Sequence, residues 1–384
     1  MGEGLGMDKT IGIVGAGPAG MVAAINLART GYEVTLYEQH PDVGHRFNGD
    51  FQGLENWTTE RDVRMELFEM GVEINFFCQP YCGGDLYGPN LKKVEIKSKE
   101  PLFYLVKRGS EPGSLDQGLK EQAIKAGVNF RFNHKVKKLK GRTIVGTGPK
   151  AADAIAVGLI FETDHEDVAA TIFDNDLAPE GYAYLLIHKG RGTIASCMFR
   201  DYKREKEFVK RTIDVFTDIY HLNMRKEREF GGFGNFFFPK SLARNEKLYV
   251  GENAGFQDFL WGFGMRYAMT SGSLAAKSIA DGVDYDQLCR NAIYPRLKTA
   301  VSNRYLFKKA GNRGYQILVN RMERTGDARL FLMRNYNPSL LKKLILPLAM
   351  RDYKSRVNDK SCSHDNCNCI WCRCGKRETA ISTC

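Results

Sequence analysis

The chain has 384 residues, 26% of them charged, and a formal net charge of +11. That length can bury a large core and predicts more than one folding unit. No run approaches the roughly eighteen consecutive apolar residues of a spanning helix. The opening MGEGLGMDKT lacks a basic-then-apolar signal, which points to the cytoplasm.

From Ile11 to Glu38 the chain reads IGIVGAGPAGMVAAINLARTGYEVTLYE. Ile11, Ile13 and Val14 suit a buried strand, and Gly15-Ala16-Gly17-Pro18-Ala19-Gly20 fits a G-x-G-x-x-G turn opening a helix that ends near Gly31. Gly15 permits the tight turn, Gly17 lets the backbone approach a pyrophosphate, and Gly20 lets the helix pack on the strand. The helix N-terminus, starting at Pro18 and Ala19, offers amides and positive dipole to phosphates. A second strand delivers Glu38, eighteen residues after Gly20, where its carboxylate accepts from ribose hydroxyls and repels a 2′-phosphate. Strand, turn, helix, strand and acid at this spacing predict a bound dinucleotide.

A loop rich in Gly, Asn and Asp follows and includes Arg46. A helix is expected at about 59–70, then short strands over 72–97 and a strand in PLFYLVKRG. The helix SLDQGLKEQAIKAG comes next, with strands in VNFRFN and RTIVGTG. Gly146 to Ala151 offers a second G-x-G-x-x-A, but too few residues precede the next strand for a crossover helix. Its backbone is expected to close against the same dinucleotide. Residues 155–199 are strand-rich, a helix is expected at about 204–220, and KLYVGENAGF is a strand entering a glycine-rich turn before the helix GMRYAMTSGSLAAKSIADG.

Fifteen Lys/Arg and four Asp/Glu lie between Asp286 and Lys354, so this region alone carries an excess equal to that of the whole chain. No helix-turn-helix, RNP or zinc-finger pattern accompanies it, which argues against nucleic acid. Leu340, Leu341, Leu344, Ile345 and Leu348 share one helical face flanked by Lys342 and Lys343. Such a helix either lies on an anionic membrane or packs as an ordinary core helix. Six of the ten cysteines fall in the last twenty-three residues. Cys362, Cys367, Cys369, Cys372 and Cys374 have spacings that would let thiolates converge on zinc or an iron–sulfur cluster. The competing readings are a thiol-rich tail without metal and a redox shuttle ending at Cys384, with Cys78 and Cys82 as its exchange partners.

The stretch from Gly251 to Met265, GENAGFQDFLWGFGM, together with VGAGPAG, resembles the signature of flavoproteins built like p-hydroxybenzoate hydroxylase. Within them it looks most like the geranylgeranyl reductase family, supported by YLVKR before LD, by GYAYLLIHKGRG and by GMRYAMTSG. The resemblance covers roughly residues 10–285. It implies an α/β fold: a Rossmann-like FAD-binding domain with an inserted antiparallel β-sheet substrate domain, α+β in character, and a C-terminal helical segment. The FAD domain is expected at 8–75, 105–154 and 244–285, and the substrate domain at 76–104 and 155–243. A basic helical region at 286–355 and a Cys-rich tail at 356–384 complete the chain. By the same resemblance Glu252 bonds the ribityl chain or phosphates, Arg108 and Arg46 sit near the FAD, and Gly262, Gly264 and Met265 face the flavin ring. Phe259, Trp261 and Tyr184 are the candidates for the reaction pocket. Glu252 replaces the family's Asp, Phe259 its proline, and Tyr184 its Trp.

The implied function is an FAD-dependent oxidoreductase that reduces carbon–carbon double bonds of an isoprenoid or other apolar substrate, with electrons from NAD(P)H or a donor protein. A monooxygenase using NAD(P)H and O₂ on the same scaffold, and a metal-carrying electron-transfer flavoprotein, remain open alternatives.

Overall fold

The first motif folds as a strand–turn–helix: β1 (Thr10–Val14) runs into α1 (Pro18–Arg29), and β2 (Glu33–Tyr37) pairs parallel with β1. Ile11, Ile13, Val34 and Leu36 are buried on one face of the sheet, while Gly12, Val14, Thr35 and Tyr37 between them are half-buried. The computed structural model describes residues 9–136, 139–149 and 152–355.

β3 (Asn48–Glu55) leaves this sheet, and α2 (Val63–Glu69) begins at Asp62, whose carboxylate accepts from the Arg64 amide at 2.9 Å. β4 (Cys78–Tyr81), β5 (Gly83–Tyr87) and β6 (Lys93–Lys97) precede β7 (Phe103–Gly109) and α3 (Leu115–Lys125). β8 (Asn129–Arg131) then pairs with β2, and β9 (Thr143–Val145) with β1. The next strands are β10 (Ala154–Glu162), β11 (Val168–Ile172), β12 (Tyr182–His188) and β13 (Arg191–Met198). They are followed by α4 (Glu205–Tyr220) and β14 (Arg225–Gly234). β15 (Ala243–Arg244) and β16 (Lys247–Tyr249) rejoin the first sheet. A 3-10 turn at Gly251–Ala254 leads to α5 (Met265–Asp281). α6 (Tyr285–Ala292), α7 (Tyr294–Glu323), α8 (Ala328–Tyr336) and α9 (Leu340–Ser355) end the described chain.

Three sheets result: β15-β16-β9-β1-β2-β8, β14-β10-β13-β12-β11-β5-β6, and the small β3-β7-β4. The large second sheet is antiparallel except where β5 runs parallel to β11. Strand β12 shows why this sheet makes a pocket. Ala183, Leu185 and Ile187 are buried in the cluster that contains Phe216 of α4, so Tyr182, Tyr184 and Leu186 face the other way.

Several expectations shift. Strands β11 and β14 were not anticipated individually, and β4 pairs with β7 rather than with the large sheet. The basic helices also do not stand apart. α7 breaks at Gly311 (φ 55°, ψ −163°), and its second half packs Tyr315, Val319 and Met322 into one cluster with Trp57 and Trp261. Charge pattern reports the solvent side of a helix; the apolar residues that decide its packing are spaced between the charges.

Phe216 is fully buried between α4 and the sheet. Phe216→Ala is expected to cost about 3–5 kcal/mol, seen as a lower denaturation midpoint, with flavin stoichiometry unchanged in the protein that remains folded.

Candidate functional site

Gly15 adopts φ +99°, and a Cβ on Gly20 would lie 2.1 Å from the Gly15 carbonyl oxygen, so strand and helix meet backbone to backbone. At Gly17 a Cβ would meet nothing within 4 Å, and no side chain caps α1 there. The first turn of the helix therefore faces an open cradle. The Glu38 carboxylate accepts from the Ala16 amide at 2.9 Å and the His40 amide at 3.0 Å, which pins the turn to the end of β2. His40 and His45 stack 4.5 Å apart beside it. The segment Gly146–Pro149 lines the same cleft, and the Gly146 amide donates to the Val14 carbonyl at 2.8 Å. It lies against the end of β1 beside the first turn.

Arg46, Arg108 and Glu252, expected at the cofactor, arrive in two ion pairs whose fourth member is Asp116. Arg108 makes a bidentate contact with Asp116 at 2.8 and 2.9 Å and covers the Phe47 ring at 4.1 Å. Burial alone would lower the Arg108 pKa, but Asp116, helped by Asp50 and Glu252, holds it above its ordinary value. Arg46 pairs with Glu252 at 2.7 Å, donates to the Phe233 carbonyl, and lies against the rings of Phe47 and Phe233. All four charged side chains line one cleft with Gly15–Ala19 and Glu38.

The turn before α5 is braced from every side. The Asp258 amide donates to the Phe263 carbonyl at 2.7 Å, and the Asp258 carboxylate accepts from the Trp261 amide at 2.7 Å and the Tyr336 hydroxyl at 3.1 Å. Tyr182 of β12 donates to the Trp261 carbonyl at 3.1 Å, Arg304 of α7 to the Leu260 carbonyl at 3.1 Å, and Gln257 to the Gly262 carbonyl at 2.7 Å. Trp261, Gly262, Phe263, Gly264 and Met265 are thereby presented to the cleft. Phe259 is not among its lining residues. Its side chain is 1% exposed and packs on Phe236, Phe238 and Tyr353, because the closed turn between Asp258 and Phe263 directs this ring into the core and the rings of Trp261 and Phe263 into the cleft. Phe259 is therefore a core residue, whereas Trp261 and Tyr184 do line the cleft.

Beyond this turn the cleft, about 670 Å³ in all, widens into an apolar chamber. Tyr182, Tyr184, Leu186 and Cys197 form one wall, Trp57, Phe103, Trp261 and Phe263 a second, and Met322 and Leu332 of the C-terminal helices a third. Burial raises the Tyr182 and Tyr184 pKa values well above the ordinary one and pushes the Cys197 thiol up to about 12. All three are neutral at physiological pH. The indole N–H groups of Trp57 and Trp261 and the Gln257 amide oxygen are buried without hydrogen-bond partners among the described residues, so the cleft wall holds unused donors and an acceptor for a polar ring. Cradle, acid and orphaned groups together fit a flavin dinucleotide.

Asp50, on β3, also lines the cleft and is 1% exposed. Its carboxyl accepts from Gln52 Nε2 at 2.7 Å and from the Asn48 amide at 3.1 Å. Burial raises its pKa against the pull of these bonds and of Arg108. Neither Asp50 nor the Met322–Leu332 wall was anticipated; GDF in a polar loop carries no sequence signal for a buried acid. Cys78 and Cys82 are free thiols, and burial pushes Cys78 up to about 11, which leaves it a poor redox partner. Cys362, Cys367, Cys369, Cys372 and Cys374 lie outside the described residues, and among the described ones no group of three or more His, Cys, Asp or Glu is placed to hold a metal.

Residues 13–55 match the family of NAD(P)-binding Rossmann-like domains. Over 87% of its length the chain is 23% identical to a digeranylgeranylglycerophospholipid reductase of Haloferax volcanii, covering 94% of that protein. Among solved structures, a geranylgeranyl bacteriochlorophyll reductase-like protein from Thermoplasma acidophilum superposes with a TM-score of 0.67 at 17% identity, over 90% of this chain and 99% of that one. A flavin-dependent brominase superposes with a TM-score of 0.63 at 13% identity, over 90% and 99%. The structural likenesses establish the shared fold.

Two outcomes are expected of the site. Gly17→Val should fold normally, since its side chain enters open space, yet purify colourless, whereas Gly20→Val should be destabilised by its clash with Gly15; a yellow Gly17→Val protein at full flavin stoichiometry contradicts the cradle. Burial also pushes Glu55 up to about 7 and Asp258 up to about 6. A carboxyl whose pKa is raised on folding stabilises most when protonated in both states, and that contribution declines as pH rises from the unfolded value through the folded one. Denaturation midpoints should therefore fall between about pH 4.5 and 7, and Glu55→Gln should flatten the decline.

Proposed function

Because the chain is an FAD-dependent oxidoreductase of the geranylgeranyl reductase-like kind, we propose that it reduces carbon–carbon double bonds of an isoprenoid or similarly apolar lipid. The observation that carries this reading is the continuity of the cleft, from the Gly15–Gly20 cradle past the braced turn into a neutral, aromatic-lined chamber. A chamber without fixed charge favours an apolar chain over a charged substrate, which would lose its hydration there.

In this reading the N-terminus of α1 would hold the phosphates, Glu38 would accept from the adenosine ribose, and the Arg46–Glu252 and Arg108–Asp116 pairs would hold the middle of the cofactor. The amides of Gly262 to Met265 and the N-terminal dipole of α5, which line the cleft, would meet the flavin ring and favour negative charge there. Bound in this way, the reduced flavin is the source of hydride. The protein's own part is to orient the double bond between Tyr184 and Trp261, to keep water out, and to supply a proton. Asp50 is the proton donor in this account. Its raised pKa keeps a proton on Oδ1, the oxygen with the longer of the two bonds it accepts, to higher pH than an exposed aspartate would. The Tyr184 hydroxyl stays protonated at every working pH and orients the substrate as a neutral donor.

Anaerobic mixing of the pre-reduced protein with a polyprenyl lipid tests the proposal. The expected result is flavin reoxidation with gain of two hydrogens per double bond reduced. Reoxidation only on admitting O₂, with an oxygenated product, would favour the monooxygenase instead. Asp50→Asn is expected to slow the anaerobic reaction by about 100-fold or more and to remove the fall in rate at high pH, with flavin content unchanged. Tyr184→Phe should mainly raise KM.

A further inference from the structure

Helix α9 buries the side opposite to its leucines. It is anchored through Ala349, which is 2% exposed, and through Ile345, Leu346, Met350 and Tyr353, which pack on the core. Ser302 of α7 donates to the Lys342 carbonyl at 2.9 Å, and Lys308 pairs with Asp352 at 3.0 Å. On the far side, Leu340, Leu341, Leu344 and Leu348 are 80, 63, 77 and 58% exposed. Four of the five apolar residues that share a face in sequence thus point to solvent, and the helix is held by a second apolar set between them.

We propose that this leucine face of α9 inserts into the headgroup region of an anionic lipid bilayer and seats the protein on it. The charges select that occupant. Asp352 is the one acidic residue of α9, and it is taken up by Lys308, so the leucine face carries no negative charge. Arg351 falls on the same stripe, seven residues after Leu344, and Lys343 borders it, both exposed. Across a two-fold contact with a second copy, such residues would set like charges together; an anionic lipid surface neutralises them. No helix among the described residues is long and apolar enough to cross a membrane, so the contact is interfacial.

The face also lies on the helical layer that walls the chamber. Leu332 of α8 and Met322 at the end of α7 line the cleft, and only residues 337–339 separate α8 from α9. Where the lipid substrate enters rests on the proposed function; the membrane contact itself does not, and stands for any chemistry in the chamber.

The flavin-loaded full chain is to be sedimented with phosphatidylglycerol vesicles and with phosphatidylcholine vesicles, at low and high salt, beside the double variant Leu344→Glu/Leu348→Glu. Both substituted side chains are mostly exposed, and full flavin content certifies their fold. Wild type should pellet with anionic vesicles at least roughly tenfold better than with neutral ones, and high salt should erode that preference. The double variant should lose roughly tenfold or more of the binding. Lys343→Glu/Arg351→Glu should abolish the preference for anionic lipid. Equal pelleting of wild type and the leucine variant overturns the proposal. So does a wild type that ignores vesicles but elutes as a dimer that the leucine variant splits, because the face would then belong to a second copy. Loss of lipid reduction with vesicle binding intact would count against the proposed function alone.

Discussion

The bracing of residues 257–265 is the constraint on which the rest of the structure depends. Three bodies meet at this turn: Tyr182 holds it from the large sheet, Arg304 from the C-terminal helices, and the start of α5 joins it to the core that α5 shares with α1. Arg304 also pairs with Glu180 at 3.2 Å and lies 3.7 Å over the Phe199 ring, so the same buried guanidinium ties helices, sheet and turn. Removing one partner of such a buried charge pair is expensive. The Trp261–Met265 backbone can then meet a flavin ring without rearranging, which is how preorganised dipoles act most effectively.

Neutrality of the chamber follows from the same packing. The groups that could carry charge near it are either buried and pushed toward their neutral forms, as in Tyr182, Tyr184 and Cys197, or paired, as in Arg46 and Arg108. Asp50 stands between the paired charges of the dinucleotide end and the neutral walls beyond. Under the proposed function that position would let its proton serve the reaction, as a surface aspartate could not.

Motifs governed by backbone geometry were legible in the sequence. Gly15 to Gly20 and Gly262 to Gly264 are where predicted because their spacing encodes a turn against a helix, and the acid at Glu38 follows from strand length. Pairings were not legible. Arg46, Arg108 and Glu252 looked like separate ligand contacts, since only the fold pairs Arg46 with Glu252 and Arg108 with Asp116. Phe259 was misplaced because the turn at Asp258 reverses the chain and sends its ring into the core. The α9 leucines left two readings, and only packing shows that the helix has two apolar faces and buries the less obvious one. Asp50 had no motif because its chemistry comes from burial. The cysteine pattern at Cys362 to Cys374 stays a sequence observation, outside the described residues.

The position of the flavin ring in a crystal structure of the flavin-loaded protein tests the account most directly. The account predicts the ring against the Gly262–Met265 backbone, with one face open to Tyr184 and Trp261, the phosphates over Gly17 and the ribose at Glu38. A ring bound outside the chamber mouth, or a dinucleotide that leaves Gly17 and Glu38 uncontacted, would contradict it.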